Sequence, residues 1–124
     1  MIGLILDPSA MVEYARGSDA VGELLILACE DARFVGLPAA ALVQAYADAP
    51  NTHHDMLRLL AAGRGAVVIP LATDGADQVG VLSRRTTTGT AHAVSATVDA
   101  GAYLVTNNAK TVEGLIEERM IIEI

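Results

Sequence analysis

One carboxylate and two amides stand where this chain is best placed to do chemistry. Leu4-Ile5-Leu6 is a continuous apolar run that ends in Asp7, and Tyr103-Leu104-Val105 is another that ends in Thr106-Asn107-Asn108. Short apolar runs of this kind read as strands covered on both faces. In a parallel sheet the carboxyl ends of the strands share one edge, and ligands and metals bind along it. A carboxylate there suits a hard divalent cation, which takes oxygen ligands and is commonly held by several acids. Asp7 is a single acid. Amide oxygens can coordinate, but they bring no negative charge to offset the ion. Ser9 and Thr106 add hydroxyl groups that can bond Asp7 and the amides into a metal-free network.

The other polar groupings carry less. His53-His54-Asp55 are consecutive, and neighbours on a helix point about 100° apart, whereas a shared metal wants i, i+4 spacing. Capping and solvation suit them better. His92 and Ser95 share a helix face at i, i+3, but no acid or oxyanion hole accompanies them, so a packing serine and a hydrogen-bonded histidine are expected. No glycine-rich phosphate loop occurs. Arg84-Arg85, with Arg58, Arg64 and Lys110, is the densest basic grouping and reads as solvated surface.

Composition sets the frame for these residues. The chain has 124 residues, one domain's worth, with 52% hydrophobic and 3% aromatic residues, so its core is built from Ala, Val, Leu and Ile. A domain of this size buries roughly two thirds of the surface its unfolded chain exposes. Net charge is −7, which opposes general binding to nucleic acid. Cys29 stands alone inside an apolar run, excluding an internal disulfide or zinc cluster, and is expected in the core. The chain lacks an apolar stretch of membrane-spanning length and a secretion-type leader, so a cytoplasmic location is expected.

The elements that position Asp7 and Asn108 can be read from periodicity and punctuation. A strand over 2–6 gives way to a helix capped by Asp7 or Ser9, with Met11, Tyr14 and Ala15 on its inner face. Gly17-Ser18-Asp19 separates it from a helix over 20–32, whose stripe is Leu24, Leu27 and Ala28. A strand over 33–37 leads to a helix over 38–49 opened by Pro38. A helix over 53–62 presents Met56, Leu59 and Leu60, followed by a strand over 66–69. A helix over 74–85 comes next. The helix over 90–100 is made of small residues that let it lie close to the sheet, and it should be the most buried. The strand over 103–105 is expected at the centre. A helix over 111–118 and a strand over 120–124 finish the chain. Alternating strands and helices with short links give a three-layer α/β/α sandwich with a mainly parallel sheet, as one domain over 1–124.

Five stretches, in order, resemble one family. The run from Leu4 through Asp7 to Ala10 is similar to the opening strand and first acid of a PIN domain. The segment from Val35 to Gln44 is similar to the strand and helix that carry its second acid. The small-residue helix from Thr90 to Thr97 resembles the one that begins with the third, and Gly101 to Asn108 resembles the strand that ends in the fourth. The last helix and strand complete the order. The resemblance spans essentially the whole chain and is strongest to the toxin ribonucleases of bacterial toxin–antitoxin pairs.

That resemblance implies a PIN-like fold and three or four acids holding Mg²⁺ or Mn²⁺ for phosphodiester hydrolysis, where the metal activates water and neutralises phosphoryl charge. Position by position, Asp7 matches the first acid, Gln44 stands at the second, Thr90 at the third (His92 after a shift of two residues) and Asn108 at the fourth. One of four carboxylates is present. The expectation is a PIN-like domain with a degraded acidic site lined by Ser9, Gln44, Thr90, His92, Thr106 and Asn108. Such a domain is inactive or weakly active as a nuclease, holds no cofactor and acts by binding protein or RNA. The alternative is a Mg²⁺- or Mn²⁺-dependent endoribonuclease using Asp7 with Gln44, Asn108 and either His92 or Asp99. The family resemblance implies a homodimer, for which the helix over 20–32 is a candidate contact, and an antitoxin-like protein partner. A basic peptide is a further partner class suited to the acidic surface.

Overall fold

A computed structural model describes residues 1–124. Five strands form one sheet: β1 (Ile2–Leu6), β2 (Phe34–Pro38), β3 (Ala66–Ile69), β4 (Tyr103–Thr106) and β5 (Ile121–Glu123). Every pairing is parallel and the order is β3-β2-β1-β4-β5. The chain therefore winds outward from β1 to β3, then crosses back to place β4 on the other side of β1. The reversal makes the gap between the carboxyl ends of β1 and β4 the topological switch point of the sheet. Asp7 and Asn107 are the residues that follow those two strands.

Helices cover both faces. Leu4 and Leu6 point to one face and join Met11, Val35, Leu37, Leu57 and Val105 in a core closed by α1 (Pro8–Ala15), α2 (Asp19–Glu30), α3 (Ala39–Asp48) and α4 (His54–Ala62). Ile5 points to the other face and packs with Ala93, Val94, Leu104 and Val112 under α6 (Thr88–Ala100), while α5 (Thr73–Leu82) packs beside α6. The alternation of Leu4, Ile5 and Leu6 is the period-two signature of a strand buried on both sides. α6 is buried at every position from Gly89 to Thr97, as its small residues predict. Gly101, at φ 63°, closes it in the left-handed conformation that glycine adopts without a Cβ clash.

Several expectations change. The central strand is β1, with 103–106 beside it, because the return crossover lands β4 on the far side of β1. The helix expected over 111–118 is replaced by 3₁₀ turns at Ala109–Val112 and Glu118–Met120, with Gly114 at φ 78° interrupting the backbone between them. α2 stops at Glu30, since Ala32 takes φ 55°. The α2 face holding Val21, Leu24, Leu25 and Ala28 turns inward, so Leu27 is 54% exposed and Cys29, one residue round from Ala28, is exposed and outside the core. In α4 the buried residues are Leu57 and Leu60, leaving Met56 and Leu59 outward.

Two glycine-related substitutions test these backbone constraints by chemical denaturation. A Cβ on Gly36 would overlap Ile5 Cδ1 and Ile69 Cδ1 in the core, so Gly36→Ala should destabilise the fold by about 1–3 kcal/mol. Ala32 holds a left-handed φ, so Ala32→Gly should stabilise it by roughly 0.5–1 kcal/mol.

Candidate functional site

Asp7 sits one residue past the last residue of the central strand and remains tied to it. Its N–H donates to the Val105 carbonyl at 3.1 Å, and its side chain is the N-cap of α1. The carboxylate Oδ1 accepts the Ala10 N–H at 2.9 Å and the Ser9 hydroxyl at 2.6 Å. The Thr106 hydroxyl also bonds the carboxylate. Asp7 is 2% exposed. Burial raises its pKa above the usual carboxylate range, outweighing these hydrogen bonds, which act in the opposite direction.

The network extends across the switch point. Ser9 Oγ accepts the Asn107 N–H at 2.9 Å and lies 3.3 Å from Thr106 Oγ1. Thr106 Oγ1 in turn accepts the Asn108 N–H at 3.2 Å. The Asn108 side chain caps the turn that follows β4, its Oδ1 accepting the Lys110 N–H at 3.2 Å. The structure thus gathers Asp7, Ser9, Thr106, Asn107 and Asn108 into one hydrogen-bonded group, with residues about a hundred positions apart in contact.

Gln44, on α3, makes no hydrogen bond to this group. It is half-buried, donates to Asp48 Oδ2 at 3.4 Å, and packs over Gly89, where a Cβ would overlap its Oε1 and press on Pro8. The α6 position that faces Pro8 and Gln44 is therefore Gly89. Thr90 is buried too, but its hydroxyl accepts from Thr87 Oγ1 at 2.9 Å within the N-cap of α6.

His92 has a different occupation. Its Nδ1 accepts the Ala40 N–H at 3.2 Å, capping α3, whose own N-cap residue Pro38 offers no side-chain acceptor. It also bonds the Pro70 carbonyl. The imidazole is therefore the Nε2–H tautomer, with both nitrogens engaged between the β2–α3 and β3–α5 junctions. Burial lowers its pKa, opposed by the Pro70 carbonyl. A cavity of about 250 Å³ beside it is lined also by Gln78, Ser95 and Asp99. Asp99 is exposed, and Ser95 bonds Gln78 at 3.4 Å. At the other histidines, His54 Nε2 lies 3.2 Å from the Ala49 carbonyl and Asp55 pairs with Arg58 at 2.7 Å.

Two residues escaped the sequence reading. Gly89 gave no signal, since a glycine early in a small-residue helix looks like packing. Glu123 is opposite Thr106 in the β4–β5 register and follows an apolar run, the same signal that singled out Asp7. Its carboxylate accepts the Ala109 N–H at 2.7 Å, holding the turn after β4. No three His, Cys, Asp or Glu side chains converge in a way that could hold a metal ion. The donor set around Asp7 is one buried carboxylate with hydroxyls and amides, which does not fit a divalent cation that keeps several waters and needs charge offset. The largest concave surface, about 840 Å³, lies at the opposite edge of the sheet, lined by Gly3, Leu27, Arg33, Tyr103 and Arg119.

No protein-family model and no curated protein sequence matches the chain. Solved structures do. A chain of VapBC2 from Rickettsia felis, bound to a DNA fragment from its promoter, superposes with a TM-score of 0.68 at 16% identity, covering 89% of this chain and 90% of that one. A chain of a toxin–antitoxin complex from Klebsiella pneumoniae gives a TM-score of 0.68 at 16% identity, covering 98% of this chain and 100% of its own. At this identity the likeness establishes the fold, and that fold is the three-layer PIN-like sandwich expected from the sequence resemblance.

Two measurements test the physical account of the site. Asp7→Asn keeps the acceptor that caps α1 and removes the buried charge. Because the folded pKa of Asp7 is raised above 3.8, its stability contribution is full below that value and is lost as pH rises through the folded pKa. The variant should therefore melt about 3 °C or more above the parent near neutral pH, with the gap closing in acid. For His92 the sign is reversed. Its folded pKa lies below 6.5, so its contribution is present above that pH and lost on acidification. His92→Ala should cost about 2 kcal/mol or more, whereas His92→Asn, which retains an acceptor near the Nδ1 position, should cost less and flatten the loss of stability in acid.

Proposed function

We propose that this chain is a PIN-like domain whose acidic site is degraded, and that it acts by binding a protein partner of antitoxin type, in the manner the resemblance implies. The observation that carries the reading is the state of Asp7. It is the only carboxylate in the hydrogen-bonded group at the switch point, and its bonds go to Ser9, Ala10 and Thr106. Gln44 and Asn108, the positions where the resemblance expects further acids, are uncharged and bond Asp48 and the Lys110 N–H instead. An active phosphodiesterase of this kind uses metal to activate water and neutralise the phosphoryl oxygens, and a single buried acid is a weak holder of such an ion.

Partner binding suits the remaining features. One structural neighbour belongs to a toxin–antitoxin complex and the other to VapBC2 bound to promoter DNA, and this chain is acidic, which favours a basic or amphipathic protein segment over RNA. No helix is long and apolar enough to cross a membrane, and we place the protein in the cytoplasm. The competing ribonuclease reading would need Gln44 and Asn108 with His92 or Asp99 as substitute ligands. Against it, both nitrogens of His92 are engaged elsewhere and Asp99 is on the outer surface of α6.

Calorimetry with Mn²⁺ and an RNA-cleavage assay decide between them. The parent should show no micromolar Mn²⁺ site and no cleavage that Asp7→Asn abolishes. The double variant Gln44→Glu/Asn108→Asp, which returns two carboxylates to the edge, should gain Mn²⁺ affinity by about tenfold or more. Micromolar binding by the parent, with cleavage lost in Asp7→Asn, would instead establish the enzyme.

A further inference from the structure

The amino edge of the sheet, opposite the switch point, is open on one face. Tyr103 stands opposite Leu4 in the β1–β4 register, so its ring lies on the face that α1 to α4 cover. α2 packs against β2 and α1, and Val105 is the β4 residue buried beneath these helices, which leaves Tyr103 51% exposed at the amino end. The cleft of about 840 Å³ results. Leu24 and Leu27 of α2 form one wall, Tyr103 and Met120 the other, and Gly3 and Ala102 also line it. Its size falls within the range of small-molecule pockets, roughly 300–1,000 Å³.

Two arginines line the cleft, and neither is fully committed. Arg33 lies across Gly3, where a Cβ would come within 2.7 Å of its Cδ, so the bare backbone lets the arginine stem pack on β1. Its guanidinium pairs with no carboxylate, and its one hydrogen bond runs from Nη1 to the Met1 sulfur at 3.7 Å. Arg119 pairs through Nε with the exposed Glu117 carboxylate at 2.5 Å, a contact of little net strength in water, and its two Nη groups have no partner in the chain. The Tyr103 phenol neighbours it. Asp31 is the one acid in the lining. The carboxyl ends of α2 and α6 meet the same edge, and neither has a basic residue in its last turn, so the arginines offset two partial negative charges. That role needs their charge. It does not occupy their outward N–H donors or fill the cleft.

A guanidinium fork prefers a carboxylate or phosphate, which it can hold with two parallel bonds. Leu24, Leu27 and Met120 suit an apolar body, and the open Tyr103 ring suits a flat one. We infer that this cleft binds a small organic anion, a carboxylate or phosphate carried on a flat apolar body, with Arg33 and Arg119 as donors to the head and Tyr103 and Leu27 against the body. The site is remote from Asp7 and stands whether or not that carboxylate holds a metal.

Titration of the full chain with naphthoate and with naphthyl phosphate, followed by amide NMR shifts, tests it. Naphthamide serves as the uncharged body and inorganic phosphate as the bare head. At least one of the two anions should bind with a dissociation constant of about 1 mM or lower, shifting Gly3, Gly101 and Tyr103, and the tighter of the two names the head group. Naphthamide and inorganic phosphate should each bind at least about fivefold more weakly. Arg33→Gln and Arg119→Gln should each weaken the anion at least about threefold. Asp31→Asn, which removes the one acid, should tighten it, a readout that survives if an arginine variant misfolds. Saturation by neither anion at about 10 mM would overturn the proposal. So would naphthamide binding as well as the anions, which would make the cleft a plain apolar surface. Shifts that gather on Leu59 and Gly63, in the groove between α2 and α4, and ignore both arginine variants would overturn it too.

Discussion

The arrangement depends on one acceptor at one place: the carboxylate of Asp7 at the carboxyl end of the central strand. A parallel sheet whose chain reverses direction beside β1 leaves a gap there, and something must close it. Asp7 does so in two directions at once, capping the first turn of α1 through Ala10 and, through Ser9 and Thr106, fastening that helix to the end of β4. The backbone needs an oxygen at this point. It does not need a charge, because an amide oxygen could accept the same Ala10 N–H. The negative charge is thus a burden the fold carries, visible in the raised pKa of the carboxyl.

That distinction explains how the remaining polar groups are arranged. Several acids crowded round Asp7 would repel one another unless a cation stood among them. Uncharged partners remove the conflict, and each then finds a local bond. Asn108 caps the turn after β4, Gln44 lies in the space left by the missing Cβ of Gly89, and Thr90 joins the cap of α6. Glu123, the other carboxylate at this level of the sheet, is drawn to the Ala109 N–H. The edge is a satisfied structural junction as it stands, with a buried acid as its one costly member.

How much of this was legible in the sequence follows from range. Asp7, Ser9, Thr106 and Asn108 were found because strand ends announce themselves locally, by apolar runs stopping at polar residues. The extreme burial of α6 was legible for the same reason, since its small side chains fit only a close approach to the sheet. What failed depended on rotation and long-range placement. Leu27, Cys29, Met56 and Leu59 have helical spacing, but which face turns inward is decided by the angle at which α2 and α4 meet the sheet. His92 looked like a candidate ligand because nothing local shows that Pro38 leaves the N-terminus of α3 without a side-chain cap, or that His92, fifty-two positions beyond the Ala40 N–H it accepts, supplies one. The 103–105 strand was expected at the centre, a place that β1 takes, because the crossover from β3 to β4 carries no local mark.

The two ends of this logic meet in the contrast between the carboxyl edge of the sheet and its amino edge. At the carboxyl edge almost every polar group is occupied, so a ligand arriving there must break bonds that hold α1 to β4 before it gains any. At the amino edge the Arg33 guanidinium has water as its alternative, so an anion that pairs with it displaces no internal ion pair. Binding is therefore opposed less by the existing structure at the amino edge than at the switch point.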